Sequence, residues 1–159
     1  IVKANNSIIL RHVPKTKAAR FMELFGDYKG IGNAAKPKLG QLLEIGDSMN
    51  QYPHARDIIL LDFDPQSGHE IKKKRPALVI SNDAFNKLTG LAMVCPITST
   101  HRDIPLHVSL DTQTNTHGDI LCEQVKSLDY RARNWKLLER CPQELFDKAL
   151  FIVNAILGE

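Results

Sequence analysis

The fold is decided by the stretch Asp57-Ile-Ile-Leu-Leu-Asp-Phe-Asp-Pro-Gln-Ser-Gly-His-Glu-Ile-Lys-Lys-Lys-Arg-Pro-Ala-Leu-Val-Ile-Ser-Asn82. Its start is rich in Ile, Leu and Phe, and Pro65 ends this first apolar run. A second apolar run follows Pro76. The stretch predicts two strands, 57–64 and 76–81, joined by a charged loop. That loop is either a solvated hairpin loop or a functional loop positioned by two buried strands.

The sequence after this stretch predicts more short strands and two helices. Apolar runs predict strands at 91–97, 106–110, 119–122 and 124–128, and residues 106–110 alternate inward apolar with outward polar side chains. Asp83 is a candidate N-cap for a short helix over 84–88. A longer helix is predicted from Pro142 to Gly158, with one wide apolar face. This pattern favours a small, strongly bent antiparallel barrel, mainly β with some α.

The N-terminal part of the chain has a different character. Residues 1–30 predict the remains of a hairpin and then a short helix, and residues 31–52 are rich in Gly and Pro, which is typical of a linker. The barrel domain is predicted over 53–159. The short helix has an apolar side formed by Phe21, Met22, Leu24 and Phe25.

Composition and residue spacing argue against a membrane-spanning protein, a secreted disulfide-bonded protein and a zinc-binding protein. No apolar run approaches the roughly 20 residues of a membrane span, and no signal peptide is visible. Cys95, Cys122 and Cys141 are far apart, which favours buried free thiols, and neither Cys nor His shows metal-ligand spacing. Residues 1–54 hold eight Lys+Arg and four Asp+Glu, whereas residues 55–159 hold thirteen and fourteen. RNA binding by the barrel would therefore need local basic clusters.

Several short motifs follow one another in fixed order over residues 53–158. They are Asp62-Phe63-Asp64-Pro65, Gly68-His69-Glu70, Arg75-Pro76-Ala77, Val94-Cys95-Pro96-Ile97-Thr98-Ser99, Glu123-Gln124-Val125-Lys126-Ser127 and Arg131-Ala132-Arg133. Together they resemble the MazF/PemK family of bacterial toxin endoribonucleases. The resemblance implies an SH3-like (CcdB-like) barrel that forms a symmetric homodimer in the bacterial cytoplasm. It also implies metal-independent and cofactor-independent cleavage of single-stranded RNA within a short recognition sequence, leaving a 2′,3′-cyclic phosphate and a 5′-hydroxyl.

Arg75 and Thr98 are the candidates for binding the scissile phosphate. A planar guanidinium can hold two phosphate oxygens and stays charged, and the resemblance implies that Arg75 is the central catalytic residue. The resemblance also implies that the Thr98 hydroxyl helps to bind this phosphate. From the residues alone, Arg75 could equally pair with a surface carboxylate, and Thr98 could be an ordinary residue at a strand end.

His69, Glu70 and Glu123 are the acid and base candidates. An ordinary His titrates near pH 6.5 and can give or take a proton. The resemblance to the Kid/PemK branch implies a histidine at His69, a carboxylate at Glu123 and an arginine at the position that Leu121 occupies. Because of Leu121, and of Ile71 where many members have Gln, the division of roles stays open. Glu123 could also form a surface ion pair with Lys126 or Arg131.

Further polar residues are predicted to contact RNA. Lys side chains can bind phosphates, Gln can meet base edges, and Arg can stack on unpaired bases. Phe63 and Trp135 are either stacking platforms or core and dimer-edge residues. The predicted RNA contacts are Lys73, Lys74, Glu123, Gln124, Lys126, Arg131 and Arg133.

Two alternatives concern partners. Residues 7–25 are similar to the end of a MazE/PemI-type antitoxin, so the antitoxin-like segment could dock Phe21, Met22, Leu24 and Phe25 into the RNA groove, in cis or across the dimer. It could instead be an unrelated extension. The barrel itself could be a non-catalytic, CcdB-like toxin that binds a protein such as gyrase.

Overall fold

The computed structural model describes residues 52–65, 68, 69 and 73–158. Over these residues the chain forms a largely antiparallel sheet with two helices, in agreement with the predicted barrel. The helices are α1, Asp83–Thr89, and α2, Gln143–Leu157. The strands are β1 Asp57–Asp62, β2 Lys74–Val79, β3 Leu91–Thr98, β4 His107–Ser109, β5 Asp119–Leu121, β6 Lys126–Asp129 and β7 Lys136–Arg140.

The long strand β3 is shared by two parts of the sheet. The order is β4-β5-β3-β2-β1-β7, and β6 pairs with β3 off this path. The first half of β3, Leu91 to Val94, pairs with β6, whereas Ile97 and Thr98 at its end pair with β5. Between β5 and β6 the chain makes a single helical turn, Cys122–Gln124. This turn brings the predicted 119–122 and 124–128 segments against opposite ends of one strand.

One face of the sheet is covered by α2, and we call it the helix-covered face. Ile58, Leu78, Cys95 and Ile120 pack there. They meet the apolar side of α2, which the 3.6-residue period places on one stripe. That stripe consists of Leu145, Phe146, Ala149 and Val153.

The other face, which we call the open face, is apolar only at one end. Buried residues of β1, β2, β3 and β6 pack together there beside α1. The Tyr130 hydroxyl donates a hydrogen bond to the Asn86 carbonyl at 3.1 Å and ties this cluster to α1. Towards the end of β3 the same face carries polar residues. The apolar cluster contains Ile59, Leu61, Phe63, Ala77, Val79, Ala92, Val94, Leu128 and Tyr130.

Two details of the predicted elements were wrong. The N-cap of α1 is Asn82, whose side chain accepts from Phe85 N, because Asp83 instead accepts from Ala55 N and contacts His54. Strand β7 was not predicted, since most of its residues are exposed and lack a clear apolar alternation. It pairs with β1, with Asp57 opposite Arg140, and closes that side of the sheet.

The predicted division into 1–30, 31–52 and 53–159 stays a prediction. Residues 1–51, and with them Phe21, Met22, Leu24 and Phe25, lie outside the described residues. Neither α1 nor α2, the helices of the described part, is long and apolar enough to cross a membrane.

Candidate active site

Arg75 and Thr98 lie on neighbouring strands at the polar end of the open face. The β2–β3 ladder pairs Ala77 with Pro96, and continuing this register by two residues would bring Arg75 level with Thr98. Side chains alternate along a strand, so Arg75 shares a face with buried Ala77, and Thr98 shares that face with buried Val94. The two strands therefore carry the guanidinium and the hydroxyl on the same face of the sheet, towards the same end.

The main chain at Thr98 is held by a close approach of Gly118. This glycine has φ +121°, and a Cβ built on it would lie 2.0 Å from the Thr98 carbonyl oxygen. Any side chain at position 118 would thus push the end of β3 away. The Thr98 Oγ1 accepts a hydrogen bond from Thr100 N at 3.3 Å, which leaves the hydroxyl hydrogen to donate to a ligand.

A groove of about 430 Å³ opens beside Thr98. It brings together four of the predicted site residues, which come from three separate segments of the sequence. It also contains residues that sequence reasoning missed, including a further cation, Arg102. The groove is lined by His69, Thr98, Glu123 and Gln124 together with Thr100, Arg102, Ile104, His107 and Leu121.

A second cavity of about 340 Å³ adjoins the groove. His69, Glu123 and Gln124 line both cavities, and Lys126 belongs to the second. Lys126 lies opposite Val94 in the β3–β6 ladder, so it is on the same face of the sheet as Thr98. Together the two cavities form a continuous track that carries two basic side chains, two imidazoles, one amide and one carboxylate.

The wall of the groove is a loop anchored by the buried carboxylate of Asp119. Arg102 N donates to Asp119 Oδ2 at 3.0 Å, Ser109 Oγ donates to Oδ1 at 2.8 Å, and His101 Nδ1 lies 3.0 Å from Oδ1. Burial alone would raise the pKa of Asp119, but these hydrogen bonds hold it below its usual value. The hydrogen bond with Asp119 also raises the pKa of His101. These hydrogen bonds hold the loop that carries Thr100, Arg102 and Ile104 against β5, the strand that contains Asp119.

Glu123 contacts a histidine of the neighbouring strand β4. Its Oε1 lies 3.1 Å from His107 Nε2, and the His107 side chain is only 6% exposed. His107 was expected to point outward with the polar residues of 106–110, and this was wrong because it packs under the groove.

Two of the predicted RNA contacts lie apart from the groove. Arg131 lies against α1, with its guanidinium carbon 5.7 Å from the Tyr130 ring centre and close to Gly90. Gly90 precedes β3, and Thr98 ends it, so the two lie about 26 Å apart at roughly 3.3 Å per residue. Arg133 donates to the carbonyls of Asp62 and Asp64 at 2.8 and 3.1 Å. These bonds fasten the start of the loop that carries His69.

The other predicted residues fall into three groups. Lys73 and Lys74 are exposed at the start of β2, just before Arg75. Glu70 lies outside the described residues. Phe63 is fully buried and so is a core residue, while Trp135 is partly buried and meets Tyr130 edge-to-face at 6.1 Å.

The three cysteines are free and buried, as predicted. Burial raises the pKa of Cys141 to about 11, so it stays a neutral thiol near neutral pH. Among the described residues no cluster of three His, Cys, Asp or Glu side chains is placed to hold a metal ion. The groove therefore offers hydroxyl, guanidinium, imidazole, amide and carboxylate groups for its chemistry.

A model described as PemK-like, MazF-like toxin of type II toxin–antitoxin systems matches residues 54–157, which is more than half of the chain. The chain belongs to this toxin family. Endoribonuclease PemK from Escherichia coli is 37% identical over 105 residues, which cover 64% of this chain and 79% of the relative. The chain is therefore an endoribonuclease toxin of a toxin–antitoxin system, as predicted.

Solved structures confirm the fold. MazF (Form-I) from Deinococcus radiodurans is 35% identical, with a TM-score of 0.66, and the match covers 68% of this chain and 98% of that one. MazE-MazF (Form-II) from the same organism matches at 31% identity and a TM-score of 0.59, covering 67% and 96%. The alternative of a non-catalytic, CcdB-like toxin that binds gyrase is not favoured, because the PemK relative is named an endoribonuclease.

Proposed function

We propose that this barrel cuts single-stranded RNA at a short recognition sequence by transesterification, without a metal ion or other cofactor. The 2′-oxygen attacks the adjacent phosphorus, a base accepts the 2′-hydroxyl proton, and an acid gives a proton to the departing 5′-oxygen. The products are a 2′,3′-cyclic phosphate and a 5′-hydroxyl. The observation that supports this proposal is the β2–β3 pairing of Ala77 with Pro96, which, continued by two residues, would bring Arg75 level with Thr98. Thr98 lines the groove together with His69 and Glu123, whereas Arg75 is not among the lining residues.

Each group has a role that its chemistry suits. Arg75 stabilises the doubly charged phosphorane, and the Thr98 hydroxyl donates a hydrogen bond that strengthens as charge builds on the phosphate. His69, Glu70 and Glu123 share the acid and base roles.

The rest of the track binds the flanking RNA. Lys73, Lys74 and Lys126 contact phosphates, and Gln124 meets a base edge. Arg131 acts only on nucleotides well away from the cut, because it lies at the far end of β3. Arg133 contributes by holding the His69 loop.

The test is cleavage in EDTA by the full chain. A long single-stranded RNA first maps the cut site, and a short oligonucleotide spanning it is then made with and without a 2′-hydroxyl at the scissile position. We expect cutting of the all-ribose oligonucleotide to a cyclic phosphate and no cutting of the 2′-deoxy version. Cleavage of both versions would overturn the proposal, and so would cleavage of neither over a varied RNA set, by the full chain and by a chain lacking residues 1–50 alike.

Membership of this toxin family also suggests which proteins bind to the chain. We propose that the protein acts as a homodimer in the bacterial cytoplasm and is inhibited by an antitoxin of the MazE type, a reading supported by the MazE-MazF match. We further propose that residues 1–30 act as such an inhibitor in cis or across the dimer, through Phe21, Met22, Leu24 and Phe25. A tethered segment has an effective concentration of order mM. Removing residues 1–50 should then speed cleavage, and an unchanged rate would exclude inhibition by this segment.

A further inference from the structure

His107 is a buried histidine of the groove to which neither the sequence motifs nor the proposed reaction gives a role. It lies on β4 directly opposite Leu121 of β5, with its side chain 6% exposed. Its Nε2 is 3.1 Å from Glu123 Oε1. Its Nδ1 is buried without a hydrogen-bond partner among the described residues, 3.9 Å from the buried Asp119 Oδ2. Such a placement needs a reason, because burying a polar ring with one nitrogen unsatisfied costs stability.

The chemistry of the contact fixes which ring nitrogen carries hydrogen. An ionised carboxylate only accepts hydrogen bonds, so Nε2 carries the hydrogen and donates it to Glu123. The ring is held in place by its burial, since only 6% of the His107 side chain is exposed, whereas Glu123 is about one-third exposed at the groove. The His107 imidazole is therefore the fixed group of the pair, and it sets the orientation of the Glu123 carboxylate.

The same geometry accounts for a departure noted in the sequence. Position 121, where the family resemblance implies an arginine, is occupied here by Leu121, which cannot pair with Glu123. The residue that faces Leu121 across the ladder is His107. A nitrogen donor for Glu123 thus comes from the neighbouring strand.

We propose that His107 is a positioning residue of the active site, holding the Glu123 carboxylate in the groove beside His69 and Gln124. One carboxylate oxygen is held by Nε2–H, and the other is presented to the RNA. This inference rests on the proposed nuclease function. In this proposal His107 does not contact the scissile phosphate. A substitution of His107 therefore affects cleavage only by changing the position of the Glu123 carboxylate.

The test is a double-mutant cycle in the full chain, measured as single-turnover RNA cleavage in EDTA. His107→Phe keeps a ring of similar size and removes the donor. His107→Gln keeps an N–H near the position of Nε2. His117→Phe is the matched control, because His117 is an exposed histidine that does not line the groove. Thermal unfolding of each variant confirms that it is folded.

We expect His107→Phe to slow cleavage at saturating RNA at least tenfold while the RNA dissociation constant changes less than threefold. His107→Gln should recover most of that loss, and His117→Phe should match the unaltered chain. In a Glu123→Ala background, His107→Phe should change the rate less than threefold, since the carboxylate it positions is gone. An equal loss with and without Glu123, or a His107→Phe rate equal to that of His117→Phe, would overturn the inference.

A second measurement leaves His107 intact and needs no activity. In ¹⁵N spectra of the histidine rings, we expect His107 to carry hydrogen on Nε2 in the unaltered chain and its Nε2 resonance to move in Glu123→Ala. An unmoved resonance would overturn the contact. If the unaltered chain cleaves no RNA, the nuclease proposal fails by itself, and this spectrum still decides whether His107 holds Glu123.

Discussion

The polar side chains at the two ends of β3 differ in whether they are buried and paired or face a cavity. At its start, beside α1, polar groups are paired with one another: buried Asn86 accepts from Ser81 Oγ, and its Nδ2 donates to the Pro53 carbonyl at 2.7 Å. At its end, beside the groove, Thr98, Glu123 and His69 face an open cavity instead. The first end holds the barrel together, whereas the second keeps its polar groups available for RNA.

The difference predicts that stability and activity can be altered separately. A substitution at the α1 end should lower the free energy of unfolding and leave the rate per folded molecule unchanged. A substitution at the groove end should lower the rate with little effect on unfolding.

Asn86→Leu should destabilise the protein by about 3 kcal/mol, because it leaves the Pro53 carbonyl without its donor and removes the acceptor of Ser81 Oγ. Unfolding in denaturant measures this loss. Cleavage per folded molecule should be unchanged under conditions where the variant remains folded. A loss of stability below about 1 kcal/mol would mean that this polar cluster does not hold the α1 end.

Thr98→Val should slow cleavage roughly tenfold to a hundredfold, because it keeps the side-chain shape and removes a hydrogen bond to a charged phosphate. The single-turnover rate at saturating RNA measures the effect. Thr112→Val, in the exposed turn that precedes β5, is the control. Equal rates for the two variants would remove Thr98 from the reaction.

Tyr130→Phe should destabilise the protein by about 1 kcal/mol, since it removes the 3.1 Å hydrogen bond to the Asn86 carbonyl and keeps the ring in the core. Denaturant unfolding measures this, and the cleavage rate should not change. A variant that loses activity without losing stability would break the proposed division between the two ends.

The smallest expected effect is a pH dependence at the loop anchored by Asp119. Because the pKa of His101 is raised in the folded protein, its contribution to stability is complete below its unfolded pKa of about 6.5 and is lost as pH rises through the folded value. Asp119 behaves oppositely: its contribution is present above about pH 3.9 and is lost as pH falls through its lowered folded pKa. The unfolding midpoint should therefore decline by a small amount as pH rises from about 6.5 through the raised folded pKa of His101.

The comparison variant for this effect is His101→Gln, which should flatten the decline, whereas His117→Gln should keep it. A decline that persists unchanged in His101→Gln would assign it to another group.

Sequence reasoning was most successful where apolar runs are long. The strands around Ile58, Leu78 and Val94 and the helix carrying Leu145 were predicted because their side chains form continuous or periodic apolar faces. Strand β7 was missed because an exposed edge strand need not carry such a face.

The site was only partly predictable because it depends on register. The β3–β6 register, if continued, would set Glu123 opposite Ile97, but the turn at Cys122–Gln124 brings Ile120 there instead. That offset moves Glu123 towards His107 and leaves Arg131 at the other end of β3. Neither the offset nor the pairing of the three-residue strand β4 with β5 is visible in the sequence.

The most direct measurement is the single-turnover cleavage of single-stranded RNA in EDTA by the full chain, by Arg75→Ala and by Arg140→Ala. Arg140 lies on β7, away from the groove, and its guanidinium is 3.5 Å from the Asp57 carboxylate. Arg140→Ala is therefore a control that removes the same positive charge elsewhere on the barrel. We predict that Arg75→Ala slows cleavage at least about a thousandfold with little change in thermal stability, while Arg140→Ala cuts at nearly the normal rate. An Arg75→Ala protein that cuts within about tenfold of the unaltered chain, or whose loss is matched by Arg140→Ala, would contradict the assignment of catalysis to the groove end of β3.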